Sequence, residues 1–561
     1  MRRRPSILIA GAGLAVAVAA AAVPGAPASR ESAPTRIRDA QLQLIGEGAA
    51  ASTRAPAVAA RPAAPRATAA PRPTRTWLGY DGRTGRLYPK NFVLMANGTR
   101  AQVWVARNIS FPAGDCRNRV DRGTRVRITP AQAAYLARQF DRRIYPRETQ
   151  LFGLPRPRDG RNAERRYAGP RNRKLVVLVD NVRDENFLDR NNSRNLSYIA
   201  GFFSAQLTRM LDRNIVTIDA YDWTHRMRAN PPHRPVVGNN CRSAPARPFL
   251  YEGVLAHEYA HLLQEAADPR ERDWVQEGLA DYAMSIAGYT RPALGIDRIG
   301  FDSHVQCILG WSTVLTDANP QPRPGGPENS LTLWGDAGDD KLLCDYGAAY
   351  TFVQFLADRH GAAAAGALHR DQSTGLTGVD RVLAQLAAPG TSRQLIHDWA
   401  AMLALDGIVD RGTPITGGGE AFVTSRALRA TVNWANPSAY ASPGAPPNGS
   451  DYVRLRAADG RFLTAAELTS LSFAGQSRRG GGTFAVQLIA YGSDPSVPAT
   501  RAFVPLDGSL AGSLDEATLR GLVDPRADVV AAIVTYEDPQ ERLSDYGRYT
   551  LTANGVGQPG G

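Results

Sequence analysis

The chain has 561 residues, with 66 Lys and Arg against 53 Asp and Glu, a formal net charge of +13 and an isoelectric point near 9.8. Residues 1–76 hold eleven Arg against Glu31, Asp39 and Glu47, a balance of +8, so only +5 is left for the other 485 residues. The bulk of the chain is mildly basic and carries no zinc-finger, RRM or similar signature, which excludes nucleic acid as the expected partner.

At the start, Arg2, Arg3 and Arg4 precede an apolar run from Ile7 to Val23, and Ala26-Pro27-Ala28 follows as a small-residue cleavage site. This is the three-part pattern of a secretory signal peptide over residues 1–28, so the chain is expected to be secreted or associated with the cell envelope. An uncleaved N-terminal anchor is the alternative. Residues 29–76 are mostly Ala, Pro and Arg with almost no aromatics. Such a segment buries too little apolar surface to offset the entropy of ordering it, and reads as a disordered linker or a removable pro-segment. Only Ile37 to Ile45 hints at structure there. Its positive charge suits electrostatic contact with an anionic cell envelope.

Residues 77–406 read as mixed strand and helix. Strands are expected at Phe92–Met95, Ala101–Ala106, Leu175–Val179 and Ile215–Ala220. An amphipathic helix is expected at Pro130–Tyr145 and another at Asn195–Asp212. The organising stretch is Glu252–Tyr282, EGVLAHEYAHLLQEAADPRERDWVQEGLADY. Val254, Leu255, Tyr259, Leu262 and Leu263 recur at helical spacing until Asp268-Pro269 stops the pattern, and a second helix is expected from Asp273 to Ala287.

On the first helix His257 and His261 lie one turn apart on one face, where both imidazoles can hold one metal ion, with Glu258 beside them. On the second helix Glu277 and Asp281 share a face. Catalytic zinc takes three protein ligands and leaves a fourth position for water. His257, His261 and Glu277 supply the three. Glu258 then serves as general base and acid on that water, and Asp281 accepts the other ring N–H of a ligand histidine.

The pair HEYAH and EGLAD resembles the two-helix zinc signature of thermolysin-type metallopeptidases. The wider chain, from about Trp77 to Asp406, is similar to the hyicolysin-like zinc metallopeptidases through KLVVLVD (Lys174–Asp180), GFFS (Gly201–Ser204), HEYAH, WVQEGLADYA and CDYGAAYTFVQFLADRHG (Cys344–Gly361). It departs from the thermolysin pattern in having only fifteen residues (262–276) between His261 and Glu277, and Gln276 where Asn is common. The resemblance implies Zn2+, endopeptidase action on protein or peptide substrates, and the ligand and base roles of His257, His261, Glu277 and Glu258. It also implies a strand ahead of the metal helix that pairs with the substrate backbone, for which Ile215–Ala220 or Leu175–Val179 are the candidates. Tyr346 occupies a position like that of the tyrosine that donates to the oxyanion in related zinc peptidases.

The remaining histidines, His225, His233, His304, His360, His369 and His397, read as solvated or bland residues without metal spacing. Helices are expected at His304–Leu315, Tyr346–Arg359, Val379–Leu386 and Ser392–Leu405. Cys116, Cys241, Cys307 and Cys344 are in no CxxC motif, and an oxidising compartment makes two disulfides the default. Cys307 with Cys344 and Cys116 with Cys241 are the favoured pairs of the three pairings. Acidic residues from Asp336 to Asp340 would permit structural Ca2+.

After a Gly- and Pro-rich linker over 407–450, runs at Tyr452–Leu455, Thr483–Tyr491, Val529–Tyr536 and Arg548–Ala553 predict a β-sandwich-like domain over 451–555. The expected fold is thus α+β, a zinc-metallopeptidase catalytic unit of mixed sheet, active-site helix and helical lower lobe, followed by an all-β domain. The expected activity is that of a secreted zinc metalloendopeptidase; the alternative is a non-catalytic cell-envelope protein on the same fold. The oligomeric state is not legible.

Overall fold

A computed structural model describes residues 40–47 (backbone), 72–82, 84–119, 126–184, 187, 196–236, 242–319, 323–336, 341–417, 419–436, 444–476 and 481–559. The signal-like residues 1–28 lie outside the described residues, as does Cys241, so the Cys116–Cys241 pairing does too.

The fold is α+β with mixed sheets. Strands β1 (Ala40–Glu47), β2 (Thr74–Asp81), β3 (Arg86–Asn97), β4 (Ala101–Ala106), β5 (Leu175–Asp180), β6 (Leu196–Ser204) and β7 (Ile215–Asp219) form one sheet in the order β1-β6-β7-β5-β4-β3-β2. β4, β5 and β7 run parallel, and every other pair is antiparallel. LVVLVD and IVTID are buried at every position because both faces of these central strands are covered. That corrects one expectation: Leu175–Val179 and Ile215–Ala220 are interior strands with neighbours on both sides, so neither has a free edge to offer a substrate.

The sheet corrects two more. Segment 29–76, expected as a disordered linker or a pro-segment with a hint of structure at Ile37 to Ile45, contributes β1, which pairs with β6 over Ala40 to Glu47, and the start of β2. The expected helix Asn195–Asp212 is strand β6 followed by a short helix, α3 below. LSYIAGFFS is half aromatic or branched, β7 offers it a partner, and the Ser204 hydroxyl, accepting from the Leu207 N–H, fixes where the helix begins.

Helices α1 (Pro130–Gln139) and α2 (Tyr145–Phe152) are joined by a π turn over Phe140–Ile144. Thr129 and Gln132 form a capping box at the start of α1, while Pro146, lacking an N–H, forces the wider turn. There follow α3 (Ala205–Leu211), α4 (Trp223–Arg226), α5 (Leu250–Ala267), α6 (Asp273–Ala287), α7 (Ser303–Ile308), α8 (Leu342–His360), α9 (Ala362–Arg370), α10 (Gly375–Gln385) and α11 (Ser392–Val409). The helix expected to run to Leu315 stops at Ile308, because Gly310 turns the chain at φ 73°. α9 was not expected from its Ala run.

α5 lies under the sheet against β6 and β7, α6 packs on α5, and α8 packs on both α6 and α7. Two glycines allow this. A Cβ on Gly278 of α6 would stand 2.6 Å from the Ala349 carbonyl oxygen of α8, and one on Gly347 of α8 would stand 2.2 Å from the His304 carbonyl oxygen of α7. The Cys307–Cys344 disulfide, with Cα atoms 4.8 Å apart, ties α7 to the first turn of α8 as expected.

The C-terminal part is strand-rich. β8 (Ile415–Thr416), β9 (Gly449–Arg454), β10 (Leu471–Gly475), β11 (Thr483–Tyr491), β12 (Ala499–Phe503), β13 (Ala511–Leu514), a helix α12 (Glu516–Leu522), β14 (Val529–Glu537), β15 (Tyr549–Ala553) and β16 (Val556–Gly557) follow in order. They give two four-stranded sheets, β13-β10-β15-β16 and β14-β11-β12-β8. Val486 and Leu488 of β11 and Val530, Ala532 and Val534 of β14 face a core shared with Leu471, Phe473 and Leu551. The alternate residues Ile489, Ala531 and Ile533 join the main core beneath α11. Segment 407–450, expected as a linker, is packed where it is described: β8 pairs with β12, and Asp406 accepts the Ser425 and Ala430 N–H groups, each at 2.7 Å.

Candidate metal centre

The candidate site lies on α5 and α6. α5 starts at Leu250 and ends where the chain turns at Asp268, whose carboxylate accepts the Arg270 N–H at 3.1 Å. This tight connection brings Asp273 back into helix, so the short spacing from His261 to Glu277 suffices to bring the two helices side by side.

The result is a convergence of three side chains. His257 Nε2 stands 3.0 Å from His261 Nε2 and 3.1 Å from Glu277 Oε2, and His261 Nε2 stands 3.3 Å from Glu277 Oε2. Bonds of about 2.0–2.1 Å to a tetrahedral ion place neighbouring ligand atoms about 3.3 Å apart, so these donors fit a zinc-sized ion. Glu277 Oε2 is also buried without a hydrogen-bond partner, a cost that a cation at this point removes. Among the described residues this is the one group of three or more such side chains able to hold a metal. Asp339 and Asp340, part of the acidic stretch read as permitting Ca2+, lie outside the described residues.

Behind the donors is a chain of polar contacts. His257 Nδ1 donates to Asp281 Oδ1 at 2.8 Å, as expected, which aims its Nε2 at the site. Asp281 Oδ2 is held in turn by His304 Nδ1 at 2.6 Å. His304 and Asp281 are both buried, so each satisfies a polar group that would otherwise be costly. This corrects the bland reading of His304. The same holds for His225, buried against Asp222 at 2.6 Å, for His397, bonded to Glu537 at 2.7 Å, and for His369, buried and stacked on Phe152. His233 is half-buried, and its Nδ1 accepts the Ala246 N–H. No sequence spacing marks His304; only the packing of α7 on α8 brings it to Asp281.

Charge is distributed accordingly. Burial works against the imidazolium of His257, yet the hydrogen bond to Asp281 and the nearby Glu277 carboxylate outweigh it and hold its pKa well above the usual range. His261 is pushed down by burial. Burial would raise Glu277, but His261 and His257 hold it at about 2. Asp281 lies below the carboxylate range for the same reason, against the burial that opposes it, with His304 and His257 as its partners.

Glu258 differs from all of these. It is fully buried, and neither oxygen has a hydrogen-bond partner. The Phe203 N–H of β6 is near enough to favour its charge without bonding it. Burial, reinforced by Glu277, holds its pKa well above the usual range. A cation among the three donors favours the carboxylate form instead.

Tyr346 of α8 stacks on His304, with ring centroids 4.7 Å apart, and lies 6.3 Å from the His257 ring. Burial together with Glu277, Asp281 and Glu258 pushes its pKa well up, so it stays a hydrogen-bond donor. Tyr350 is directed elsewhere, to Ser285 Oγ at 2.6 Å. A cavity of about 70 Å3 lined by Phe249, Met284, Tyr289, Phe301 and His304 adjoins the site.

No family model matches the sequence, and no curated protein matches it.

Proposed function

We propose that the protein is an exported zinc-dependent metalloendopeptidase of the hyicolysin-like kind, hydrolysing peptide bonds in proteins. The single observation that carries this reading is that Glu258, which is not needed to bind a metal, sits unpartnered beside three convergent donors on the elements where metal-assisted hydrolysis needs a base. His257, His261 and Glu277 would hold the ion, which when bound would supply Lewis acidity toward the scissile carbonyl and toward a water.

The chain's own residues do the rest. Asp281 and His304 keep His257 in the tautomer whose Nε2 lone pair faces the site. Glu258 takes the protons of the attacking water in turn and delivers both to the departing nitrogen, so that the C–N bond breaks and a carboxylate and an ammonium group leave as products. The water-excluded surroundings of Glu258 strengthen its coupling to developing charge. Tyr346, a neutral donor beside the ligands, stabilises the oxyanion that forms on the carbonyl oxygen. The two C-terminal sheets, a β-sandwich-like arrangement, brace the helical lobe through α11.

Metal content tests the foundation. Elemental analysis of the purified chain is expected to give one zinc per chain, lost in His257→Ala and His261→Ala. A chain without stoichiometric zinc after loading overturns the reading.

A further inference from the structure

Strand β6 separates β7 from β1, and without β1 it would be the edge of the large sheet. It also passes close to the proposed base: a Cβ on Gly201 would lie 3.1 Å from Glu258 Oε1. Opposite Gly201 stands Gln43 of β1, with Leu42 opposite Phe202 and Gln41 opposite Phe203. β1 also touches α5 and α8, the helices that carry Glu258 and Tyr346. It therefore runs as an extended backbone along β6 and past the catalytic carboxylate.

The site is also closed. His257 and Glu258 are 0% exposed and His261 1%, whereas a peptidase acting on proteins must admit a chain to these groups. An open strand edge is a template for one more extended chain, whether a substrate or the protein's own.

We propose that β1 is an autoinhibitory strand, occupying on β6 the place of an extended peptide substrate and keeping the chain latent. The consequence for catalysis rests on the peptidase reading above; the docking itself does not. Between β1 and β2 the sequence carries Arg54, Arg61 and Arg66 among Ala and Pro. Hydrolysis of one peptide bond there, with water as co-reactant, turns an intramolecular docking into a bimolecular one and removes its effective-concentration advantage.

The test uses the full chain, zinc-loaded, beside the Leu42→Pro/Gln43→Pro variant. Successive N–H groups of a strand point to opposite sides, so one of the two prolines removes a bond to β6. Three quantities are read: amide hydrogen exchange in β6, the rate of zinc loss to dipicolinate, and casein hydrolysis. The expected result is that all three rise by about tenfold or more, and that a synthetic peptide of residues 38–49 reverses the rise. Unchanged exchange in β6 overturns the docking. Raised exchange with unchanged zinc loss, or hydrolysis as fast in the parent as in the variant, overturns the occlusion. If exchange and zinc loss rise while neither chain cleaves casein, the occlusion stands and the peptidase reading is what fails.

Discussion

His304 shows how the candidate metal centre is built beyond its three donors. It holds the far oxygen of Asp281, whose near oxygen holds His257, so removing it leaves a buried carboxylate oxygen bare and frees Asp281 to turn. His304→Ala is expected to weaken zinc binding by about 10–100-fold in a chelator competition; an unchanged affinity would show that Asp281 is held without it. His369 carries a second prediction, on pH. It is buried and stacked on Phe152, and burial holds its pKa down to about 3, below the roughly 6.5 of an unfolded chain. Its stabilising contribution is complete above pH 6.5 and is lost as pH falls toward 3, at a cost of about 2 kcal/mol between pH 7 and pH 5. Urea unfolding at both pH values should show His369→Leu losing about 2 kcal/mol less than the parent, and equal losses would contradict the assignment. His257, Glu258 and His261 were legible because HExxH fixes their geometry within one helix, and Glu277 through the EGLAD stretch of the next helix. His304 and His369 were not, because their partners are brought to them by packing between helices.

Helix α6 is held at its station by contact with α8. Gly278 follows Glu277, and a methyl group there meets the Ala349 backbone at 2.6 Å, which has no soft side chain to yield. Gly278→Ala is expected to cost about 1–3 kcal/mol in thermal or urea unfolding. Because Glu277 rides on the same turn, zinc affinity should fall with it; a stable variant with parental affinity would mean that the two helices part freely. At this level α5 and α6 were readable from apolar periodicity and the Asp268-Pro269 stop, and α6 begins and ends where its sequence says. β6 was misread as helix because a short aromatic strand carries little signal of its own and takes its form from β7 and β1. β5 and β7 were recognised as strands, yet their place inside the sheet depends on which strands flank them, and sequence order does not report that.

The molecule as a whole joins a basic N-terminal segment, a sheet-and-helix unit and two smaller sheets. Two-residue alternation made β11 and β14 legible, but not that their second face would be covered by α11. Ties across distant segments hold this arrangement. Glu541, just after β14, accepts from Trp274 Nε1 of α6 at 3.3 Å, and the disulfide closes a 37-residue separation. Opening that loop in Cys307→Ser/Cys344→Ser should lower stability by at most about 4 kcal/mol by urea unfolding, since the chain-entropy cost of a loop this long sets the scale. A variant as stable as the parent would mean that the packing of α7 on α8 suffices.

The proposed chemistry requires Glu258 as a base beside a bound zinc. The decisive measurement is casein hydrolysis by the Leu42→Pro/Gln43→Pro chain, with and without Glu258→Gln, and with zinc quantified in both. The expected result is one zinc in each and a loss of activity of about 10²–10⁴-fold on substitution. Equal hydrolysis by the two chains, each with its zinc, would contradict the assignment of the base and with it the proposed chemistry.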